Sequence, residues 1–137
     1  MDKQFRQIDW DKSLEAEWRS LLRLAAAEDL GLPGDLTTRA LVGDDARARA
    51  AVVARQAGVI AGLPAAEMTA EFFDPRLVWT AEVADGQAVA AGQRIARLEG
   101  PAAALLTTER LLLNMLSRLS GIATLTSHYV RAIEGTP

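Results

Sequence analysis

Val83-Ala84-Asp85-Gly86-Gln87-Ala88-Val89-Ala90-Ala91-Gly92-Gln93-Arg94-Ile95-Ala96-Arg97-Leu98-Glu99-Gly100 sets the fold class of this chain. Asp85-Gly86-Gln87 and Ala91-Gly92-Gln93 are turn signals between short extended pieces, and Arg94 to Glu99 alternates at the period of a strand. The pattern predicts a compact, turn-rich, mainly antiparallel sheet. Working back from it, Arg76 to Val83 reads as a strand. Leu63 to Phe73 reads as a helix with Pro64 in its first turn and Asp74-Pro75 as its stop. Arg47 to Arg55 keeps arginine on odd positions and small apolar residues on even ones, a strand with one wet face, and Gly58 to Gly62 continues it after a break. At the start, residues 11 to 30 form an amphipathic helix whose apolar face is Leu14, Trp18, Leu21, Leu22 and Ala25. Asp9 or Asp11 caps it and Gly31 ends it. Leu32-Pro33-Gly34-Asp35-Leu36-Thr37-Thr38 then reads as a turn in which Asp35 bonds nearby amides as a cap. The expected class is α+β: an N-terminal helix, a small sheet packed with helices, and a long C-terminal helix.

That last helix is predicted over 102 to 133, a span on the order of 45 Å at the α-helical rise. Gly121 lies inside it, where glycine costs about 1 kcal/mol against alanine, so it marks either a kink or the close approach of another backbone. Helical spacing also puts Arg110, Asn114, Ser117, Gly121, Thr124 and His128 in one row. A solvated stripe would carry Lys and Glu. This one carries small hydrogen-bonding groups with a guanidinium at its N-terminal end, which suits a packed polar seam or a ligand wall.

Composition narrows the function classes. With 137 residues, 50% of them hydrophobic, the chain can bury a core, and one domain over 1–137 is expected. A net charge of -3, with 15 Lys and Arg set among 18 acids, argues against a nucleic-acid partner. The absence of cysteine fits a reducing compartment, so a cytoplasmic location is expected. The charged start, Met1-Asp2-Lys3-Gln4-Phe5-Arg6, lacks the apolar stretch of a signal peptide, and no apolar run is long enough for a membrane span. One histidine and no thiolate leave no transition-metal motif, and no metal ligand is assigned.

Three motifs need weighing. The 83–100 pattern is similar to that of biotinyl and lipoyl carrier domains, but a carrier needs a lysine on a hairpin tip, and the lysines here are Lys3 and Lys12. The kinship is therefore one of fold, a sheet of hammerhead or barrel-sandwich type. Arg110 is flanked by Leu105, Leu106, Leu111, Leu112 and Leu113, and an unpaired guanidinium in such surroundings is costly, so it must reach water or a partner. Glu109 faces away from it on a helix. A salt bridge to a distant acid and a contact to a ligand carboxylate or phosphate both remain open, because arginine's planar fork suits either. His128, alone and without an acid or nucleophile beside it, reads first as a structural histidine. No phosphate-binding loop, nucleophile elbow or dinucleotide fingerprint is present.

Several segments carry a resemblance in order along the chain. They are Glu28-Asp29-Leu30-Gly31, Gly34-Asp35-Leu36-Thr37-Thr38, Arg55-Gln56-Ala57-Gly58-Val59-Ile60-Ala61-Gly62, Leu98-Glu99-Gly100-Pro101, Glu109 to Leu116, and Ser120-Gly121-Ile122-Ala123-Thr124. Together they resemble the quinolinate phosphoribosyltransferases, also called nicotinate-nucleotide pyrophosphorylases (carboxylating), over residues 28 to 124. The resemblance implies an enzyme of NAD synthesis that joins quinolinate to phosphoribosyl pyrophosphate with magnesium, releasing pyrophosphate and carbon dioxide. It implies an N-terminal α/β domain, here the whole chain, and a C-terminal α/β barrel carrying most of the active site. It also implies a homodimer or higher homo-oligomer, with each N-terminal domain closing its partner's barrel.

By the same resemblance Arg110 contacts a quinolinate carboxylate across the dimer interface, with Asn114, Ser117, Thr124 and His128 as supporting residues. The family's Thr-Arg-Lys-Thr and Asn-His-Arg elements and its magnesium-holding acids do not occur in 1–137, so no catalytic residue is assigned and this stretch alone is expected to be inactive. Physical reasoning points the same way, since a dicarboxylate beside a pyrophosphate needs a cluster of cations and the row offers only Arg110. Two rivals stand beside this expectation. One is a non-catalytic dimerisation module built on the 102–133 helix, and the other is the same domain of a paralogous pyrophosphorylase with a different base.

Overall fold

The computed structural model describes residues 9–31 and 35–135, apart from the side chain of Arg39. The first element is α1 (Lys12–Leu30), capped by Asp11, whose carboxylate accepts from the amides of Ser13 and Leu14 at 2.9 and 3.0 Å. Gly31 ends it with φ of 60°, a conformation that suits glycine. Of the turn expected over 32 to 38, residues 32–34 lie outside the described residues. From Leu36 the expectation is corrected: Leu36–Leu41 is a six-residue helix, α2, with Asp35 at its N-cap. Asp35 is thus the cap its type favours, on a helix too short to show a hydrophobic period.

The strands follow as β1 (Arg47–Val53), β2 (Gly58–Val59), β3 (Val78–Ala81), β4 (Ala88–Val89) and β5 (Arg94–Pro101). Between β2 and β3 runs α3 (Leu63–Phe73) with Pro64 in its first turn. After β5 comes α4 (Ala102–Ala132), 31 residues long. The class is α+β. β5 lies between β1 and β3 in an antiparallel three-stranded sheet, and β2 pairs antiparallel with β4 in a separate ribbon. In β1 the arginines face water, and Arg49 meets Glu99 directly opposite on β5. Both Gly-Gln turns are built alike. Gly86 and Gly92 adopt φ of 83° and 81°, and the side chains of Gln87 and Gln93 accept from the amides of Ala84 and Ala90 at 3.1 and 3.0 Å.

Two cores hold the layers together. The larger lies between the sheet, α3 and α4, where Ile95, Leu98, Ala66, Ala70, Leu105, Leu112 and Leu116 pack. The smaller joins α1 to α3 and α4 through Leu22, Met68 and Leu111. Leu22 is fully buried, which contributes about 2 kcal/mol by area. Trp18 fastens the same helix with its indole N–H, 3.1 Å from the carbonyl oxygen of Ala65 and 3.2 Å from Thr69 Oγ1. These contacts fix where the C-terminal end of α1 arrives, which is beside the N-terminal third of α4.

Candidate functional site

The row predicted on α4 divides. Asn114, Ser117, Gly121, Thr124 and His128 line one wall of a cavity of about 630 Å³, and the loop between β1 and β2, with Arg55 and Gln56, forms the opposite wall. Arg110 does not line it. Its side chain is 74% exposed and turns to Asp29 at the end of α1, with Nη1 at 3.1 Å from Oδ1. Of the two partners left open for this guanidinium, the distant acid is the one present within the chain.

Thr124 and Ser120 serve the fold. The amide of Val59 donates to Thr124 Oγ1 at 2.8 Å, and that hydroxyl donates to the carbonyl of Ser120 at 2.7 Å. The amide of Ala61 donates to Ser120 Oγ at 3.2 Å, and that hydroxyl reaches the Ala61 carbonyl at 3.3 Å. Helix α4 thus supplies β2 with the partners a further strand would give, as buried backbone groups require. Thr124 of the row, with Ser120 beside it, is the packed polar seam. Asn114, Ser117 and His128 are exposed on the cavity wall, and Ser117 Oγ donates to the carbonyl of Asn114 at 3.1 Å.

Gly121 is corrected by the same geometry. A methyl group there would meet nothing within 4 Å, so no backbone approaches it, and α4 runs through it without interruption. Close approach occurs on the other side of the contact. A Cβ on Gly58 would stand 2.7 Å from Thr124 Oγ1, and one on Gly62 would run into the side chain of Leu119. Gly62 also holds φ of 97° at the start of α3, where its own amide and that of Leu63 donate to the carboxylate of Asp85 at 3.0 and 2.9 Å. Asp85 is therefore both a turn residue and the cap of another element.

A polar cluster surrounds the base of Arg110. Asp35 accepts from the amide and hydroxyl of Thr38 at 3.0 and 2.6 Å and from the hydroxyl of Thr107 at 3.2 Å. Thr107 sits one turn before Arg110 on α4. The Thr38 hydroxyl, then its amide, hold the Asp35 carboxyl below the usual carboxylate range, with smaller help from Thr107 and the positive charge of Arg110 against partial desolvation. The sequence reading gave Asp29, Thr107 and Ser120 no role of their own. Asp29 was nevertheless marked, because Trp18, Leu22, Ala25 and Asp29 step by 4, 3 and 4, so an acid ends the buried stripe of α1. No three His, Asp or Glu side chains converge as a metal site among the described residues. No helix among them is long and apolar enough to cross a membrane.

Residues 35–120, which hold this cluster and most of the cavity wall, match the family described as quinolinate phosphoribosyl transferase, N-terminal domain. The chain belongs to that family. A probable nicotinate-nucleotide pyrophosphorylase (carboxylating) of Synechocystis sp. is 44% identical over 111 residues, covering 81% of this chain and 37% of that protein. Quinolinate phosphoribosyltransferase (decarboxylating) 1b of Nicotiana tabacum is 36% identical over 108 residues, covering 79% of this chain and 31% of that protein. The solved nicotinate-nucleotide pyrophosphorylase of Francisella tularensis superposes with a TM-score of 0.85 at 30% identity, over 95% of this chain and 45% of that one. This domain of the quinolinate phosphoribosyltransferase family thus spans less than half the length of each of these relatives, and the expected α+β class is the one its solved relative shares.

Proposed function

We propose that this domain is the substrate-closing and dimerisation part of a quinolinate phosphoribosyltransferase, and that Arg110 grips a carboxylate of quinolinate at a barrel mouth supplied by a partner subunit. The reaction would join quinolinate to phosphoribosyl pyrophosphate and release pyrophosphate and carbon dioxide, giving nicotinate mononucleotide for NAD synthesis. One observation carries the reading. In a chain of this family, the guanidinium on the N-terminal third of α4 is 74% exposed and holds its acid through one Nη1–Oδ1 contact of 3.1 Å. Arginine has five N–H donors, so the rest of the fork stays free for a planar carboxylate. Exposed pairs such as Asp29 with Arg110 contribute about 0–1 kcal/mol, so bringing a substrate to this guanidinium disturbs little.

Asn114, Ser117 and His128, along the same face, would support the substrate from the cavity wall, whereas Thr124 is committed to β2. Magnesium would enter with the pyrophosphate, held by the barrel. A chain without cysteine suits the cytoplasm, where we place the reaction. The chain by itself would orient one end of quinolinate and perform no bond-breaking.

The test is reconstitution with the part of the Synechocystis relative that lies outside the matched residues, followed by nicotinate mononucleotide formation. Arg110→Ala should lower kcat/KM for quinolinate by about a hundredfold, the loss of a charge-assisted contact of roughly 3 kcal/mol. Full activity in that variant would remove the proposed role. Exposed Ile122, Leu125, Tyr129 and Val130 on α4 favour a second reading, a non-catalytic dimerisation module, which a dimer without quinolinate uptake in calorimetry would support. Titrating nicotinate against quinolinate separates a paralogue with another base, since only quinolinate has a second carboxylate.

A further inference from the structure

Asp29 lies at the wrong end of its helix. α1 has no basic residue in its last turn and carries Glu28 and Asp29 there, where the helix presents its negative pole and an acid destabilises it. The position is also well fixed. Leu22 and Trp18 dock α1 on α3 and α4, and the Asp29 side chain is 27% exposed against 74% for Arg110. The acid is thus the anchored partner and the guanidinium the presented one. Asp35 adds a second fastening, since its bond to Thr107 ties the start of α2 to α4 one turn before Arg110.

Resting on the function proposed above, we infer that Asp29 is a positioning residue: it holds the Arg110 guanidinium, by one edge, in the orientation that receives the substrate carboxylate. A long arginine side chain left free must lose its rotamer entropy on binding, and an anchor removes that cost in advance. The inference makes a prediction of unusual sign. By bulk charge alone, removing an acid beside an anion site strengthens anion binding. If Asp29 positions Arg110, its removal weakens that binding although the local charge becomes more positive.

The experiment compares wild type, Asp29→Ala and Asp29→Asn, with Arg110→Ala as reference. On the chain itself, the heteronuclear NOE of the Arg110 Nε–H group should report an ordered side chain in wild type. It should fall in Asp29→Ala to the level of Arg118, which is exposed on the same helix, and recover in part in Asp29→Asn, whose amide oxygen still accepts. In the reconstituted assembly, KM for quinolinate should rise about tenfold in Asp29→Ala and less in Asp29→Asn, while KM for phosphoribosyl pyrophosphate stays within about twofold. The melting temperature of Asp29→Asn should not fall, because the helix loses an unfavourable charge. An Arg110 as mobile as Arg118 in wild type overturns the inference, as does an unchanged or lowered quinolinate KM in Asp29→Ala beside a raised one in Arg110→Ala. A fall of several degrees in melting temperature that accompanies the KM change assigns Asp29 to the fold instead. An unchanged KM in Arg110→Ala itself sinks the functional reading, and the positioning role with it, whatever the NOE shows.

Discussion

The carboxylates held low by hydrogen bonds should make the domain sensitive to acid. Thr38 depresses Asp35, the side chain and then the amide of Arg76 depress Asp74, and Arg94 is the first cause of the depression of Glu82. A group whose folded-state pKa is lowered contributes its full stability above the unfolded value, about 4, and loses it as pH falls through the folded one. Melting temperature should therefore be flat near neutral pH and fall below about pH 4. Asp35→Asn should start lower at pH 7 and show a shallower acid decline in a series of melts; an unaltered slope would mean that the Thr38 and Thr107 bonds carry no linkage. Residue types at helix ends were readable because their chemistry is local, as the caps Asp11 and Asp35 show. Arg110's partner was not, because it lies 81 positions away and only the three-dimensional docking of α1 brings it near. What the sequence does carry is an acid closing an otherwise apolar stripe.

At the level of elements, the long helix and the strand alternation were plain because hydrophobic period is a strong signal over many residues. α2 was not, since six residues give less than two turns of pattern. Glycine was the instructive case. A glycine inside a helix marks either contact or its absence, and sequence alone cannot separate them: Gly121 is open while Gly58, in the two-residue strand β2, is the crowded one. The two should respond oppositely. Gly121→Ala should stabilise the chain by about 0.5–1 kcal/mol through helix propensity. Gly58→Ala should destabilise it by about 1–3 kcal/mol, because the new methyl collides with a Thr124 hydroxyl pinned between Val59 and Ser120. Urea unfolding of both variants decides the matter, and the same sign for the two would refute the assignment of contacts around α4.

For the molecule as a whole, the distal half of α4 leaves Leu125 and Tyr129 at 56% and 67% exposure, while the buried residues of the helix, Leu105 to Leu116, all lie in its proximal half. If that half meets a second subunit, as proposed, the chain should associate with increasing concentration in sedimentation velocity. Leu125→Glu with Tyr129→Glu should abolish the association without lowering the melting temperature, since neither side chain is part of the core; a double variant that still associates would move the contact elsewhere. In the sequence, the expectation of a partner for this helix rests on the Leu, Met and Ile that residues 102–133 present. The two hydroxyls that bind β2 have one more effect. Because Thr124 and Ser120, on consecutive turns of α4, are bonded to Val59 and Ala61, α4 cannot roll about its axis without breaking them. Its azimuth is locked to the ribbon, so any body seated on the far half of the helix inherits a heading set by two side-chain oxygens, and substituting either should misalign the assembly before it unfolds the domain.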